Sequence, residues 1–341
     1  MAKILITGAA GFIGFHVLRR MKKQHHITAI DNLSRFSNYE MKLHRLQETA
    51  GKSFLRNKKF DFRSGRIDFR VADILDRGKM EKIFQSVQPR LVIHLAAMTG
   101  IRQSAEAPGL YTDVNVQGFL NILECCRKFS VQHVLYASSS SVYGSCTDVP
   151  FSEDSDTTHP LSVYAATKKS NELLANIYTA AHGINTIGLR LFTVYGPWTR
   201  PDMATFTFMR NIAEEKSVTL FNEGNMARDF TYVDDVVESL VKVAAQMLTS
   251  KTQPQARIFN IGEGRPVNVR KYLSIIERLM GKKARITPAP AQNGEMLVTF
   301  ADCSALEKFT GFQPAVKVEE GLRQTVRWFQ NYQKSHTTGI I

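Results

Sequence analysis

Thr7-Gly8-Ala9-Ala10-Gly11-Phe12-Ile13-Gly14 decides the reading of this chain. An apolar stretch, 3–7, precedes it, and residues with helical spacing, 13–23, follow. Glycines between a strand and a helix let the backbone turn tightly and approach a pyrophosphate. The helix N-terminus adds amide donors and the positive end of its dipole. Gly8, Gly11 and Gly14, with Phe12 and Ile13 between them, are therefore candidate contacts to a dinucleotide.

Around this turn, apolar strands are expected at 3–7, 27–30, 68–72, 91–95, 134–138 and 186–191. Helices are expected at 13–23, 79–87, 111–129 and 162–181. This alternation predicts an α/β fold, a doubly wound, mostly parallel Rossmann sheet with helices on both faces. Past residue 191 the rhythm breaks, with Pro and Gly punctuation at Gly196-Pro197, Pro201 and 288–290. A smaller mixed α/β substrate domain is expected there, with a helix at 233–248 and a strand at 257–261 returning to the sheet. The expected partition is 1–190 plus about 233–261 for the dinucleotide, and 191–232 plus 262–335 for the substrate.

Asp31 ends the second strand, seventeen residues past Gly14. A carboxylate there accepts hydrogen bonds from ribose hydroxyls and repels a 2′-phosphate, which favours NAD over NADP. Asn32 follows it. Asp73 and Ile74 end the third strand, where Asp73 meets the adenine or caps the next helix.

The chain has 341 residues, 43% of them hydrophobic and 22% charged, which is ordinary globular usage and excludes whole-chain disorder or coiled coil. No apolar run approaches a membrane span. The opening residues lack the charged, apolar and small-residue succession of a signal peptide, so a cytoplasmic location is expected. The four cysteines, Cys125, Cys126, Cys146 and Cys303, have neither zinc-site nor disulfide-framework spacing. No metal site is expected. The formal charge of +13 favours anionic partners. No nucleic-acid-binding motif accompanies it. The stretch 35–66 holds nine basic and three acidic residues, including Arg35, Lys42, Arg45 and Lys52. It reads equally as a solvated insertion or as a flank of the substrate site.

Tyr164 and Lys168 form a Tyr-x-x-x-Lys, which puts both on one helix face. An ammonium nearby stabilises phenolate, so such a tyrosine can exchange a proton with a sugar hydroxyl. Upstream, Ser138-Ser139-Ser140-Ser141-Val142-Tyr143-Gly144 ends the fifth strand, at the same edge of the sheet.

Together these residues resemble the extended short-chain dehydrogenase/reductase superfamily. Further landmarks are His94-Leu95-Ala96-Ala97, Asn115 in Val114-Asn115-Val116, and Arg228-Asp229-Phe230-Thr231-Tyr232-Val233-Asp234-Asp235. The resemblance implies that Ser139, Tyr164 and Lys168 are catalytic. It implies that Leu95, Ala96, Ala97 and Asn115 join the NAD contacts, and that Ser140 and Ser141 touch a nucleotide sugar handled through a 4-keto intermediate. The dehydratase branch typically has Thr-Asp-Glu where this chain has Ser139-Ser140-Ser141, so a dehydratase is not expected.

The segment Arg190-Leu191-Phe192-Thr193-Val194-Tyr195-Gly196-Pro197-Trp198-Thr199-Arg200-Pro201-Asp202-Met203 resembles the UDP-glucuronate 4-epimerases. That likeness implies a UDP-sugar, a uronate, as partner. Thr193, Arg200 for the carboxylate, Arg228 for the diphosphate, and Glu295 near the uridine are then its binding residues. Arg228 reads equally as a structural ion-pair partner. The resemblance also implies a homodimer through the helices around Leu120 and Leu173. The alternatives are a UDP-glucuronate decarboxylase, an epimerase of another UDP-sugar, and a catalytically silent NAD-binding sensor.

Overall fold

The computed structural model describes residues 1–34, 36, 38–51, 60–250, 252–291 and 296–336. Seven strands run parallel: β1 (Lys3–Thr7), β2 (His26–Asp31), β4 (Ile67–Val71), β5 (Leu91–His94), β6 (His133–Ser139), β7 (Asn185–Leu191) and β12 (Ala256–Ile261). An eighth, β3 (Phe62–Ser64), adds antiparallel to β4. The order across the sheet is β12-β7-β6-β5-β1-β2-β4-β3. The order reverses at β1, so the crevice between β1 and β5 is the place where such sheets bind ligands. The six expected strands are present to within a residue or two, and β12 returns to the sheet beside β7 as expected. β3 was not foreseen. It forms because Gly65, at φ +57°, turns the chain back on itself, and Phe62 stacks on Phe69 with ring centroids 5.2 Å apart.

The central strands carry the apolar load. Ile4, Leu5, Ile6, Val92, Ile93, Val134 and Leu135 are fully buried. Alternate residues feed two cores, one on each face. Leu5, Val92 and Val134 pack with Phe84, Phe119 and Ile122 on one side. Ile4, Ile6 and Ile93 pack with Val17, Leu240 and Ala244 on the other. That second core continues without a break into Phe206, Phe230, Tyr272 and Phe329 of the later chain.

The later chain builds three two-stranded pairs. β8 (Thr193–Tyr195) runs parallel to β11 (Phe230–Tyr232), β9 (Ser217–Phe221) parallel to β14 (Arg285–Ala289), and β10 (Ala227–Arg228) antiparallel to β13 (Val267–Asn268). The helix Val233–Thr249 leads from β11 back towards β12.

The expected helix at 111–129 is interrupted. A short helix, Pro108–Thr112, passes into a π turn, Asp113–Gln117, before the helix Gly118–Lys128. The wider turn lets Asn115 reach inward. Its Oδ1 accepts from Met98 N at 2.7 Å, and its Nδ2 donates to Met98 O and Thr167 Oγ1, both at 3.0 Å. Three buried bonds outweigh one irregular turn.

Candidate active site

A cavity of about 980 Å³ opens at the carboxyl ends of the parallel strands. Gly8, Gly11, Phe12, Ile13 and Gly14 form its floor. Gly8 has φ +67°, and a Cβ there would stand 2.6 Å from Ala96 N. A Cβ on Gly14 would stand 2.2 Å from Gly8 O. Both positions therefore require glycine. No side chain caps the helix Phe12–Met21, which leaves its first amides facing the cavity. These features fit a dinucleotide pyrophosphate. Leu95, Ala96 and Ala97 line the cavity from the end of β5. Thr7 Oγ1 holds that crossing by accepting from Ala96 N at 3.2 Å.

Asp31, Asn32, Asp73 and Ile74 form the far end of the cavity. Asp31 is buried and its carboxylate is already engaged, by Ala10 N at 3.2 Å, Leu33 N at 2.9 Å and Lys42 Nζ at 3.0 Å. Asp73 accepts from Asn32 Nδ2 and Leu75 N, both at 2.9 Å. It does not cap the next helix; Asp76 does, accepting from Lys79 N. Asn115 stands behind the wall rather than on it, tying Met98 to the helix Val163–His182.

Ser162 caps that helix by accepting from Ala165 N at 3.1 Å. Tyr164 and Lys168 then face the end of β6. Lys168 is buried, donates to Ala137 O at 2.9 Å, and has its Nζ 6.0 Å from the centre of the Tyr164 ring. Burial pushes Lys168 down to about 8. Burial also raises Tyr164, opposed by a hydrogen bond with Ser139 and by the charge of Arg200. Ser139 caps a short 3₁₀ turn, Ser140–Tyr143, and donates to Ser141 Oγ at 3.1 Å. Ser140, Ser141 and Thr193 line the cavity beside it.

One helical turn beyond Lys168, Glu172 accepts both Nε and Nη2 of Arg190 at 2.9 Å, and Ser138 Oγ at 2.7 Å. This buried pair locks the Tyr164/Lys168 face of the helix to β6 and β7. Tyr164, Lys168 and Glu172 thus share one face at successive turns.

Arg200 reaches the cavity from the Gly196–Pro197 turn. Its Nε and Nη2 donate to Asp202 at 3.0 and 2.5 Å, and its Nη1 donates to Thr99 Oγ1. Two side chains, the largely buried His16 and the buried Arg45, hold the turn from the dinucleotide side. His16 Nε2 donates to Pro197 O at 2.9 Å. Arg45 donates to Ala10 O at 3.0 Å and Trp198 O at 2.7 Å. Burial pushes His16 down to about 4, leaving it neutral, and burial with the charge of Arg200 lowers Arg45 to about 9.

Arg228 also lines the cavity, and its Nη1 donates to the carbonyls of Ala227 and Leu297. Glu295 lies outside the described residues, as do Arg35, Lys52, Arg56, Lys58 and Lys59 of the basic stretch. Lys42 and Arg45 of that stretch are buried by the helix Tyr39–Ala50 and are not solvated. Lys42 and Arg45 stand out in the sequence only as part of the basic stretch, with no partner to assign, and His16, Thr99 and Asp202 are not singled out by it. Only Asp202 left a local signal, an acid two residues from Arg200 across a proline.

The chain belongs to the NAD dependent epimerase/dehydratase family, whose profile matches residues 4–262. It is 38% identical to the probable UDP-glucuronate 4-epimerase of Rhizobium meliloti, over 98% of this chain and 99% of that protein. It is 39% identical to UDP-glucuronate 4-epimerase 2 of Arabidopsis thaliana, over 97% of this chain and 76% of that protein. Among solved structures, the UDP-glucuronic acid 4-epimerase from Bacillus cereus, in complex with UDP-glucuronic acid and NAD, superposes with a TM-score of 0.86 at 32% identity. The match covers 97% of this chain and 99% of that one.

Proposed function

We propose that the protein is an isomerase that interconverts UDP-glucuronate and UDP-galacturonate by 4-epimerisation, using NAD. The observation that carries this is one cavity lined both by the glycine floor and by Ser139, Tyr164, Lys168 and Arg200. The similarity to UDP-glucuronate 4-epimerases along nearly the whole chain supports it.

Gly8, Gly11, Phe12, Ile13 and Gly14 would hold the pyrophosphate, Asp31 and Asn32 the adenosine ribose, and Asp73 and Ile74 the adenine. Leu95, Ala96 and Ala97 would flank the nicotinamide half. When bound, NAD supplies the oxidation at C4 of the sugar and its reversal on the opposite face. Tyr164 takes the 4-hydroxyl proton and returns it, Lys168 stabilises the phenolate, and Ser139 hydrogen-bonds the same oxygen. Ser140, Ser141, Thr193 and Arg200 face the sugar, and Arg228 and Glu295 the UDP. A 4-keto uronate is a β-keto acid and loses CO₂ when its carboxylate aligns with the carbonyl, so the site must hold that carboxylate out of alignment.

The proposed partition assigns 1–190 with about 233–261 to NAD, and 191–232 with 262–335 to the nucleotide sugar. A homodimer through the helices Gly118–Lys128 and Val163–His182 is part of the proposal. Leu173 and Ile177 of the second helix are 55% and 57% exposed, a large apolar surface for a partner copy to cover. A cytoplasmic location is proposed as well, in keeping with four free thiols. Among the described residues no helix is long and apolar enough to cross a membrane.

An NMR time course of the purified protein with a panel of UDP-sugars tests the activity. UDP-galacturonate accumulating from UDP-glucuronate is the expected result. Release of CO₂ with a UDP-pentose as the main product would identify a decarboxylase instead.

A further inference from the structure

Arg200 and Asp202 sit on one turn, at the sugar end of the cavity, beside Tyr164. The Nε/Nη2 edge of Arg200, the edge best shaped to grip a carboxylate with two parallel bonds, is filled by Asp202. The two side chains differ in depth. Arg200 is 25% exposed, whereas Asp202 is 45% exposed. Thr99 Oγ1 gives the guanidinium a second anchor, through Nη1, that does not depend on Asp202. Asp202, being the shallower partner, can turn to water at small cost. Burial pushes the Asp202 carboxyl up, but its bonds to Arg200 and that residue's charge together outweigh burial and leave it below its usual value.

We propose that Asp202 is a resident placeholder for the carboxylate of the sugar. It occupies Arg200 when no uronate is there, gives up that edge as the sugar carboxylate arrives, and takes it back as the 4-keto sugar turns. This inference rests on the uronate reading above. Its physical reason is that a half-buried guanidinium left without an anion is costly, while exchanging one carboxylate for another is nearly balanced. A site with a permanently vacant guanidinium fork would grip a uronate in one orientation and resist the turn. A site without the arginine would hold the carboxylate too loosely. Asp202 thereby sets how strongly the site distinguishes a uronate from the corresponding neutral sugar.

The test measures dissociation constants for UDP-glucuronate and UDP-glucose, with kcat for UDP-glucuronate, in wild type, Asp202→Asn, Asp202→Ser and Asp202→Glu. Retained NAD and the melting midpoint establish that each variant is folded; Asp202 is 45% exposed, and two neutral variants of different shape guard against a local defect in either one. Removing the charge should tighten UDP-glucuronate about tenfold, the value of one charge-assisted hydrogen bond. UDP-glucose should change by less than about twofold. KM and kcat for UDP-glucuronate should fall together, because the sugar is held harder and turns more slowly. Asp202→Glu, which keeps a carboxylate within reach, should retain the wild-type ratio of affinities. Parallel weakening of both ligands in the neutral variants, or no change in either, would overturn the inference and make Asp202 a prop for Arg200. A wild type that binds UDP-glucuronate no better than UDP-glucose would instead overturn the uronate reading, and this inference with it.

Discussion

The ammonium of Lys42 stands 3.0 Å from Oδ1 of Asp31, in the wall of the cleft where the adenosine ribose is assigned. Asp31 favours NAD because its charge repels a 2′-phosphate. A cation in contact with it reduces that repulsion. Wild-type protein should bind NAD more tightly than NADP, and Lys42→Met should widen the gap by about tenfold. Competitive titration of cofactor-stripped protein decides this. An unchanged ratio in the variant would mean that Lys42 has no influence on the choice of cofactor.

Tyr164→Phe removes the proton carrier and leaves the glycine floor intact. NAD should stay bound and turnover should drop at least about 10²-fold. Near-normal turnover would exclude Tyr164 as the acid and base.

Lys168 gives the reaction a pH signature. Its folded-state pKa, about 8, lies below the ordinary lysine value. Across that window the folded state binds fewer protons than the unfolded state, so this group makes stability rise with pH. Activity should move the other way, because Tyr164 loses its supporting ammonium. We expect kcat to decline above about pH 8 while the melting midpoint shows no matching loss from this group. A kcat that holds level or climbs through about pH 9 would show that the charged form is not needed.

Arg200→Ala should weaken UDP-glucuronate by about ten- to a hundredfold and UDP much less, since only the former carries the carboxylate. Some keto-pentose by-product is expected, because a loosened carboxylate can rotate into alignment with the 4-keto group. Calorimetry with the two ligands is the measurement. Equal losses would place Arg200 outside the carboxylate site.

Glu172→Gln leaves the buried Arg190 guanidinium without its anion and should cost about 3–5 kcal/mol in denaturant unfolding. A Glu172→Met/Arg190→Met double variant should recover part of that loss. If the single variant unfolds like wild type, the pair does not hold the helix Val163–His182 to the sheet.

Local pattern was enough to read the strands of the sheet, the glycine turn and the Tyr164/Lys168 face. Each depends on neighbours only a few residues apart: alternating buried strands, glycines where a Cβ cannot fit, two side chains one helical turn apart. The resemblance to a family added Ser139 and the sugar-side segment. The break in the helix at Asp113–Gln117 escaped local pattern, because its cause is Met98, seventeen residues away from Asn115. β3 escaped it too, since its own three residues, Phe62-Arg63-Ser64, carry no apolar run.

Short-range spacing in the amino-acid sequence specifies a Rossmann sheet with a glycine turn and a tyrosine–lysine pair on one helix face near the carboxyl edge of the sheet, and the family resemblance adds the catalytic reading. The electrostatics of the cleft arise from contacts distant in the chain. Lys42 neutralises Asp31 across 11 residues, and Arg45 ties Ala10 to Trp198 across 35 and 153. Asp202, rather than solvent, fills the fork of Arg200. Charge pairing in a folded protein depends on distance in space and on loss of water, and neither can be counted along a chain.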